Sequence, residues 1–194
     1  MRIMKLLSKA TNEIAQGEVM QLLNCQNSAI TEKEYYRVIK RKTAVLFQAA
    51  TQIGAILSKT DEIQESALRD YGLHLGNAFQ IIDDILDYES DKKIMGKEVG
   101  DDLAEGKNTL PMIYALENTS GKQHELLINS IENADNSQID LVINILSSVN
   151  AFDYTRQKAQ ESADLAKQSL ASLPDSNYKQ ALSLLCDLSV QRKF

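Results

Sequence analysis

The chain has 194 residues and a formal net charge of −6, enough length for one well-filled domain or for part of a larger one. Its acidic balance argues against a nucleic-acid partner, which would want a basic face. Two Pro, eight Gly and 6% aromatics supply few of the turns and strand formers that a sandwich or barrel needs, so an all-helical domain is expected.

Ile3, Leu7, Ala10, Ile14 and Gly17 recur at helical spacing and predict a first helix to about residue 24. Thr31 with Glu34 reads as a capping box for a second, running to about Ser58, and Asp61 caps a third through Tyr88. From Glu89 to Lys107 the chain is polar, with Gly96, Gly100 and Gly106, and reads as a loop with one helical turn at most. Thr109 with Pro111 just inside opens the next helix. Amphipathic segments over about 121–133, 137–149, 150–172 and 175–191 follow, with no linker or repeat, so residues 1–194 are expected to form a single domain. No apolar run approaches the ~18 residues of a membrane span, and Met1-Arg2-Ile3-Met4-Lys5 opens an amphipathic helix rather than a signal peptide. Cys25 and Cys186 lack ligand spacing and His74 and His124 are isolated, so none of the four is given a role. A soluble, cytoplasmic protein with reduced thiols is the expectation.

The third helix carries the most telling pattern. Gln80, Asp83, Asp84 and Asp87 interrupt an otherwise apolar run and, at about 100° per residue, fall within one arc of roughly 100°. Phe79, Ile81, Ile82, Ile85, Leu86 and Tyr88 cover the remainder, which is too apolar to face water, so a merely solvated acidic face is the poorer reading. At an effective dielectric near 20, two unit charges about 5 Å apart repel by roughly 3 kcal/mol, so protons or cations must compensate. Oxygen-only ligands favour hard ions, and Mg²⁺ in particular takes one or two carboxylates, waters and phosphate oxygens. The strip reads as a Mg²⁺-diphosphate site, with Asp83, Asp84 and Asp87 as its metal-holding acids.

Basic residues can complete such a site. Tyr35, Val38, Ile39, Val45, Leu46, Ala49, Ile53 and Ile56 form one stripe on the second helix, with Lys42 at its angular centre while Arg37, Lys40 and Arg41 point away. A phosphate bridging Lys42 and the metal explains that lysine better than snorkelling from a groove edge. Thr43 and Gln80 can bind a phosphate oxygen or a metal-bound water. Lys97 and Lys107, on the glycine-rich loop, can fold over a polyanion. Gly72 and Gly76 lie on the same arc, and either leave room beside the strip or mark close helix packing. Glu18 and Gln21 intrude on the apolar face of the first helix, either bordering the same cavity or pairing with each other.

The segment from Gly76 to Tyr88, then Gly96-Lys97, Gly100-Asp101-Asp102-Leu103-Ala104-Glu105-Gly106-Lys107 and Thr109-Leu110-Pro111 resemble the second aspartate-rich region of the trans-isoprenyl diphosphate synthases. Lys42-Thr43-Ala44 resembles their upstream lysine-threonine motif. The run from Phe152 to Ala159 and the tail ending Arg192-Lys193-Phe194 are most similar to the octaprenyl-forming bacterial branch. The resemblance spans the whole chain but only the C-terminal part of the family's domain. It implies an all-α antiparallel helical bundle of the isoprenoid-synthase type lacking its N-terminal helices. It also implies a prenyltransferase of isoprenoid and quinone side-chain biosynthesis, which condenses an allylic diphosphate head-to-tail with isopentenyl diphosphate using Mg²⁺, as a homo-oligomer. Asp83, Asp84 and Asp87 would then hold Mg²⁺, and Lys42, Thr43, Gln80, Lys97 and Lys107 the allylic diphosphate. The facing first acidic cluster and the isopentenyl diphosphate site have no counterpart here. Asp101-Asp102 is expected on a loop and is no substitute. The chain is therefore expected to be poorly active alone. The alternatives are an inactive fragment, a non-catalytic partner of a full-length synthase or, less well matched, a terpene cyclase.

Overall fold

A computed structural model describes residues 1–89 and 99–192, and among them only helices and their connections occur. Helix α1 (Arg2–Asn24) is followed by α2 (Glu32–Ile39), a π-helical segment (Lys40–Ala44) and α3 (Val45–Leu57), then by the long α4 (Glu62–Glu89). After the short α5 (Asp101–Ala104) come α6 (Leu110–Asn118), α7 (Gly121–Glu132), α8 (Ile139–Ser148), α9 (Ala151–Ser169) and α10 (Asn177–Gln191). The expected all-α bundle is what forms. No helix among the described residues is long and apolar enough to cross a membrane.

Local chemistry sets the boundaries. The Thr31 hydroxyl accepts from the Glu34 N–H, and the Glu34 carboxylate accepts from the Thr31 N–H at 3.0 Å, which makes the predicted capping box. Asp61 Oδ1 accepts from the Gln64 N–H at 2.8 Å and caps α4. Pro111 sits in the first turn of α6, where its missing N–H costs nothing.

Helix α4, about 42 Å long by its residue count, packs along α3 on one flank and α9 on the other. Its C-terminal half lies in a core of Ile81, Ile82, Ile85, Leu86 and Tyr88 with Tyr35 and Ile39 of α2 and residues of α6 to α9. The N-terminal half lies in a smaller core of Tyr71, Leu75 and Ala78 with Ala163 and Ala166 of α9 and Cys186 of α10.

The second predicted helix is continuous but not uniform. A π-helical turn admits one extra residue, and it does so at Lys40–Ala44, between two glycines. A Cβ on Gly17 of α1 would overlap the backbone nitrogen of Lys42, and one on Gly76 of α4 would lie 2.6 Å from Ala44 Cα. Close packing is therefore the role of Gly76, and of Gly72, whose added Cβ would meet Thr51 and Phe47 of α3. The extra residue also turns the helix face. The predicted apolar stripe holds through Ile39 and then only in part: Ala49 is buried as expected, but Val45, Ile53 and Ile56 are half-buried, Leu46 is more than half exposed, and Ala55, outside the stripe, is buried. Arg41 does not point away but lies against α1, paired with Glu13 at 3.4 Å and Gln16 at 3.1 Å.

Candidate functional site

The π segment delivers Lys42 to a small cavity between α1, α2, α4 and the 107–109 connection. Gln21, Asn24, Tyr35, Lys42, Gln80, Asp84, Lys107 and Asn108 are among its walls, and its volume is about 40 Å³. At about 10–15 Å³ per water its inner part has room for about three waters, and it opens to solvent. Four predicted residues from three separate segments, Lys42, Gln80 with Asp84, and Lys107, thus converge on one space. One polar atom of its rim, Asn108 Oδ1, is buried without a hydrogen-bond partner among the described residues.

Neighbouring carboxylates of the strip differ sharply. Asp83 is exposed, Asp84 is 4% exposed, and Asp87 is half-buried. Asp84 Oδ2 accepts from the Tyr35 hydroxyl at 2.6 Å, and Oδ1 accepts from Gln80 Nε2 at 2.9 Å. Gln80 Oε1 in turn accepts from the Thr43 hydroxyl at 2.7 Å. Burial above all, then the charges of Asp102 and Asp83, holds the Asp84 carboxyl well above its usual range, against the pull of the Tyr35 and Gln80 hydrogen bonds. Asp87 Oδ2 accepts from the Asp102 N–H at 3.1 Å. Burial and then the Asp102 charge push Asp87 up to about 7.

Both lysines are held by partners. Lys42 donates to Gln21 Oε1 at 2.5 Å and pairs with Glu18 at 3.5 Å, so both intruding polar residues of α1 turn toward it rather than toward each other. Lys107 pairs with Asp102 at 2.8 Å and Glu105 at 2.9 Å. Burial pulls its pKa down, but those two carboxylates more than reverse the effect and leave it raised. Lys97 lies outside the described residues.

Three further contributors escaped the sequence reading. Tyr35 counted only as part of an apolar stripe, although a buried tyrosine hydroxyl wants a polar partner. Asp102 opens the short helix α5 and folds back onto Asp87 and Lys107 instead of lying in a loop. Arg192 stacks its guanidinium 3.9 Å from the Phe79 ring centroid and donates to Phe79 O at 2.9 Å, which places it within the field of Asp83. Only the fold could reveal the last two.

The donor set suits a hard divalent ion. Among the described residues no three His, Cys, Asp or Glu side chains converge as a ready ligand cage. Mg²⁺ does not require one, since it keeps several waters and takes phosphate oxygens beside one or two carboxylates. Asp83 is exposed and makes no hydrogen bond among the described residues, and it lies one turn of α4 before the half-buried Asp87, so one or two carboxylates are open to such an ion. The residues present therefore fit the ion.

The sequence model of the polyprenyl synthetase family matches residues 1–149. The chain belongs to that family. Its sequence is 44% identical over 195 residues to an octaprenyl diphosphate synthase of Haemophilus influenzae, covering all of this chain and 59% of that protein. An all-trans-nonaprenyl-diphosphate synthase of Rhodobacter capsulatus is 46% identical, over 99% of this chain and 59% of its own length. Among solved structures, a polyprenyl synthase from Caulobacter crescentus, complexed with calcium and isoprenyl diphosphate, superposes with a TM-score of 0.94 at 36% identity, covering 100% of this chain and 60% of that one. A decaprenyl diphosphate synthase from Rhodobacter capsulatus gives a TM-score of 0.92 at 40% identity, with the same coverage. The chain thus spans about 60% of the length of the polyprenyl synthetases it matches.

Proposed function

We propose that this chain carries the second aspartate-rich half-site of an octaprenyl-like diphosphate synthase, which binds the diphosphate of an allylic substrate through Mg²⁺. The reading rests on one observation above all: Lys42, Gln80, Asp84 and Lys107 meet at one cavity, with Asp83 and Asp87 on the same helix turns. It is supported by the Caulobacter crescentus synthase of the same fold, whose complex contains a divalent cation and isoprenyl diphosphate.

Asp83 and Asp87 would hold the ion, with Asp84 behind them. Mg²⁺, when bound, supplies positive charge that neutralises the diphosphate as it separates from the allylic carbon. Lys42, Lys107 and Lys97 would bind the same anion. For Lys42 this means exchanging Glu18 for phosphate, one charge pair for another, and for Lys107 exchanging Asp102 and Glu105, two carboxylates for one polyanion. Thr43 and Gln80 orient the oxygens nearest the π segment. Once diphosphate leaves, the allylic cation is attacked by the double bond of isopentenyl diphosphate and a proton is lost, for which the freed diphosphate is the acceptor. An apolar wall such as Val38 and Ile39 keeps water from that cation.

The residues for isopentenyl diphosphate and the facing acidic cluster are absent from this sequence, so turnover by the chain alone should be small, because a leaving group gripped from one side is poorly positioned. A condensation assay with labelled isopentenyl diphosphate and farnesyl diphosphate tests this. Robust turnover by the lone chain would refute the half-site reading.

A second reading, a subunit that completes or regulates another synthase chain, is favoured by exposed apolar residues on α1, namely Met4, Leu7, Val19, Leu22 and Leu23. Light scattering at micromolar concentration distinguishes it, since a monodisperse monomer counts against both this role and a homo-oligomer.

A further inference from the structure

Tyr35 belongs to none of the motifs, yet it holds the one carboxylate of the strip that turns inward. Its side chain is 5% exposed, in the core shared by α2 and α4, and among the described residues its hydroxyl makes a single short bond, to Asp84. That bond occupies Oδ2 and the Gln80 amide occupies Oδ1. An amide has a fixed sense: with Nε2 turned to Asp84, Oε1 must face the opposite way, and there it accepts from Thr43. A polar chain therefore runs from Tyr35 through Asp84 and Gln80 to Thr43, connecting α2, α4 and the π segment. A carboxylate with both oxygens taken by neutral donors is anchored in the wall rather than presented to an ion.

We propose that Tyr35 is a positioning residue of the diphosphate site, which holds Asp84 in the wall and thereby fixes the side-chain amide of Gln80 against Thr43. Asp84 is then the hub of the site, and Asp83 and Asp87 are the acids that meet the metal. The inference rests on the function proposed above. Loss of the hydroxyl frees Asp84 to rotate and Gln80 to flip, so the donors and acceptors facing the phosphate lose their fixed arrangement.

The test is isothermal titration calorimetry of the full chain with MgCl₂ and inorganic diphosphate. It compares wild type, Tyr35→Phe, Asp84→Ala, the double variant and Asp83→Ala, with folding followed by far-UV circular dichroism. Losing a buried hydrogen bond to a carboxylate typically costs about tenfold in an equilibrium constant, so Tyr35→Phe should weaken binding about 10-fold and raise the Mg²⁺ concentration for half-saturation. In the Asp84→Ala background the same change should add nothing, a non-additivity that a purely structural tyrosine would not produce. If Tyr35→Phe binds as wild type while Asp83→Ala loses binding, the Tyr35 role is overturned and the site assignment stands. Equal heats for wild type and Asp83→Ala overturn the site assignment and this inference with it. Should Tyr35→Phe not fold, Asp84→Asn replaces it, since it keeps the shape but loses one acceptor; an unchanged affinity there overturns the proposal.

Discussion

The two flanks of α4 at the strip make an instructive pair. Asp84, on the inner flank, is buried under Tyr35, with each oxygen bonded and its charge opposed by desolvation. Asp83, its neighbour in sequence, is exposed on the outer flank, toward Arg192. About 100° of helical rotation separates a wall-building acid from one free to meet a cation. The acids of the strip are thus not equivalent, because the neighbouring helices decide which of them stay exposed.

The inner flank exists because α4 approaches the π segment at Gly76, so Gly76→Val should have the largest effect. Overpacking against backbone typically costs about 1–3 kcal/mol or more, and a loss of about 10 °C in Tm by circular dichroism is expected. A change under 2 °C would show that the close approach is not required.

The acids themselves should separate next. Asp84→Ala leaves the Tyr35 hydroxyl and the Gln80 amide unpaired, at about 1–3 kcal/mol for a buried group left unsatisfied. Because removing a carboxylate held above its normal range relieves a cost of its own, the net loss should be the smaller figure, visible as a Tm drop of about 3 °C. Asp83→Ala should leave Tm within 2 °C and weaken Mg²⁺-diphosphate binding more than 10-fold in calorimetry. Equal effects of the two variants on both measurements would erase the distinction.

A third test uses pH. The folded pKa of Asp87, about 7, lies above its unfolded value near 3.9. Between those values the native state binds more protons, and stability falls as pH rises through the window. Asp84 acts in the same sense. His74, whose pKa burial lowers, acts in the opposite sense below about pH 6.5. Without metal, the protein should melt about 3 °C lower at pH 8 than at pH 5.5, for a contribution of about 1 kcal/mol from Asp87 once about half is discounted for its partial exposure. Asp87→Asn should shrink that difference, and a steeper profile in the variant would reverse the sign assigned here.

The smallest effect is expected at Gln21. Gln21→Leu removes one partner of the partly exposed Lys42 ammonium, at about 0.5–1 kcal/mol. A Tm shift beyond 5 °C would mean that the α1 contact matters far more to the fold than to the lysine.

Much of the fold was legible in the residues. Thr31 with Glu34, Asp61 and Pro111 mark helix starts through short-range hydrogen bonding and ring geometry, which act within one turn of the chain and read the same in any tertiary setting. The angular position of Gln80, Asp83, Asp84 and Asp87 follows from helix geometry alone, and their conflict with an apolar surround marks a site. Lys42 stood out by the same conflict of a charge among apolar neighbours, although the π segment and not regular periodicity delivers it to the cavity.

What the residues did not determine is where each polar atom finds its partner. The π segment depends on glycines at positions 17 and 76, on two other helices, and no pattern within 40–44 announces it. Whether Glu18 and Gln21 pair with each other or with Lys42 depended on the approach of α1. The roles of Asp102 and Arg192 depended on chain reversals that bring them back to α4 from 15 residues on and from the far end of α10. Periodicity and capping are local and survive in sequence. The difference in burial between Asp83 and Asp84 was decided by contacts between residues distant along the chain, because only packing determines which side of a helix loses its water.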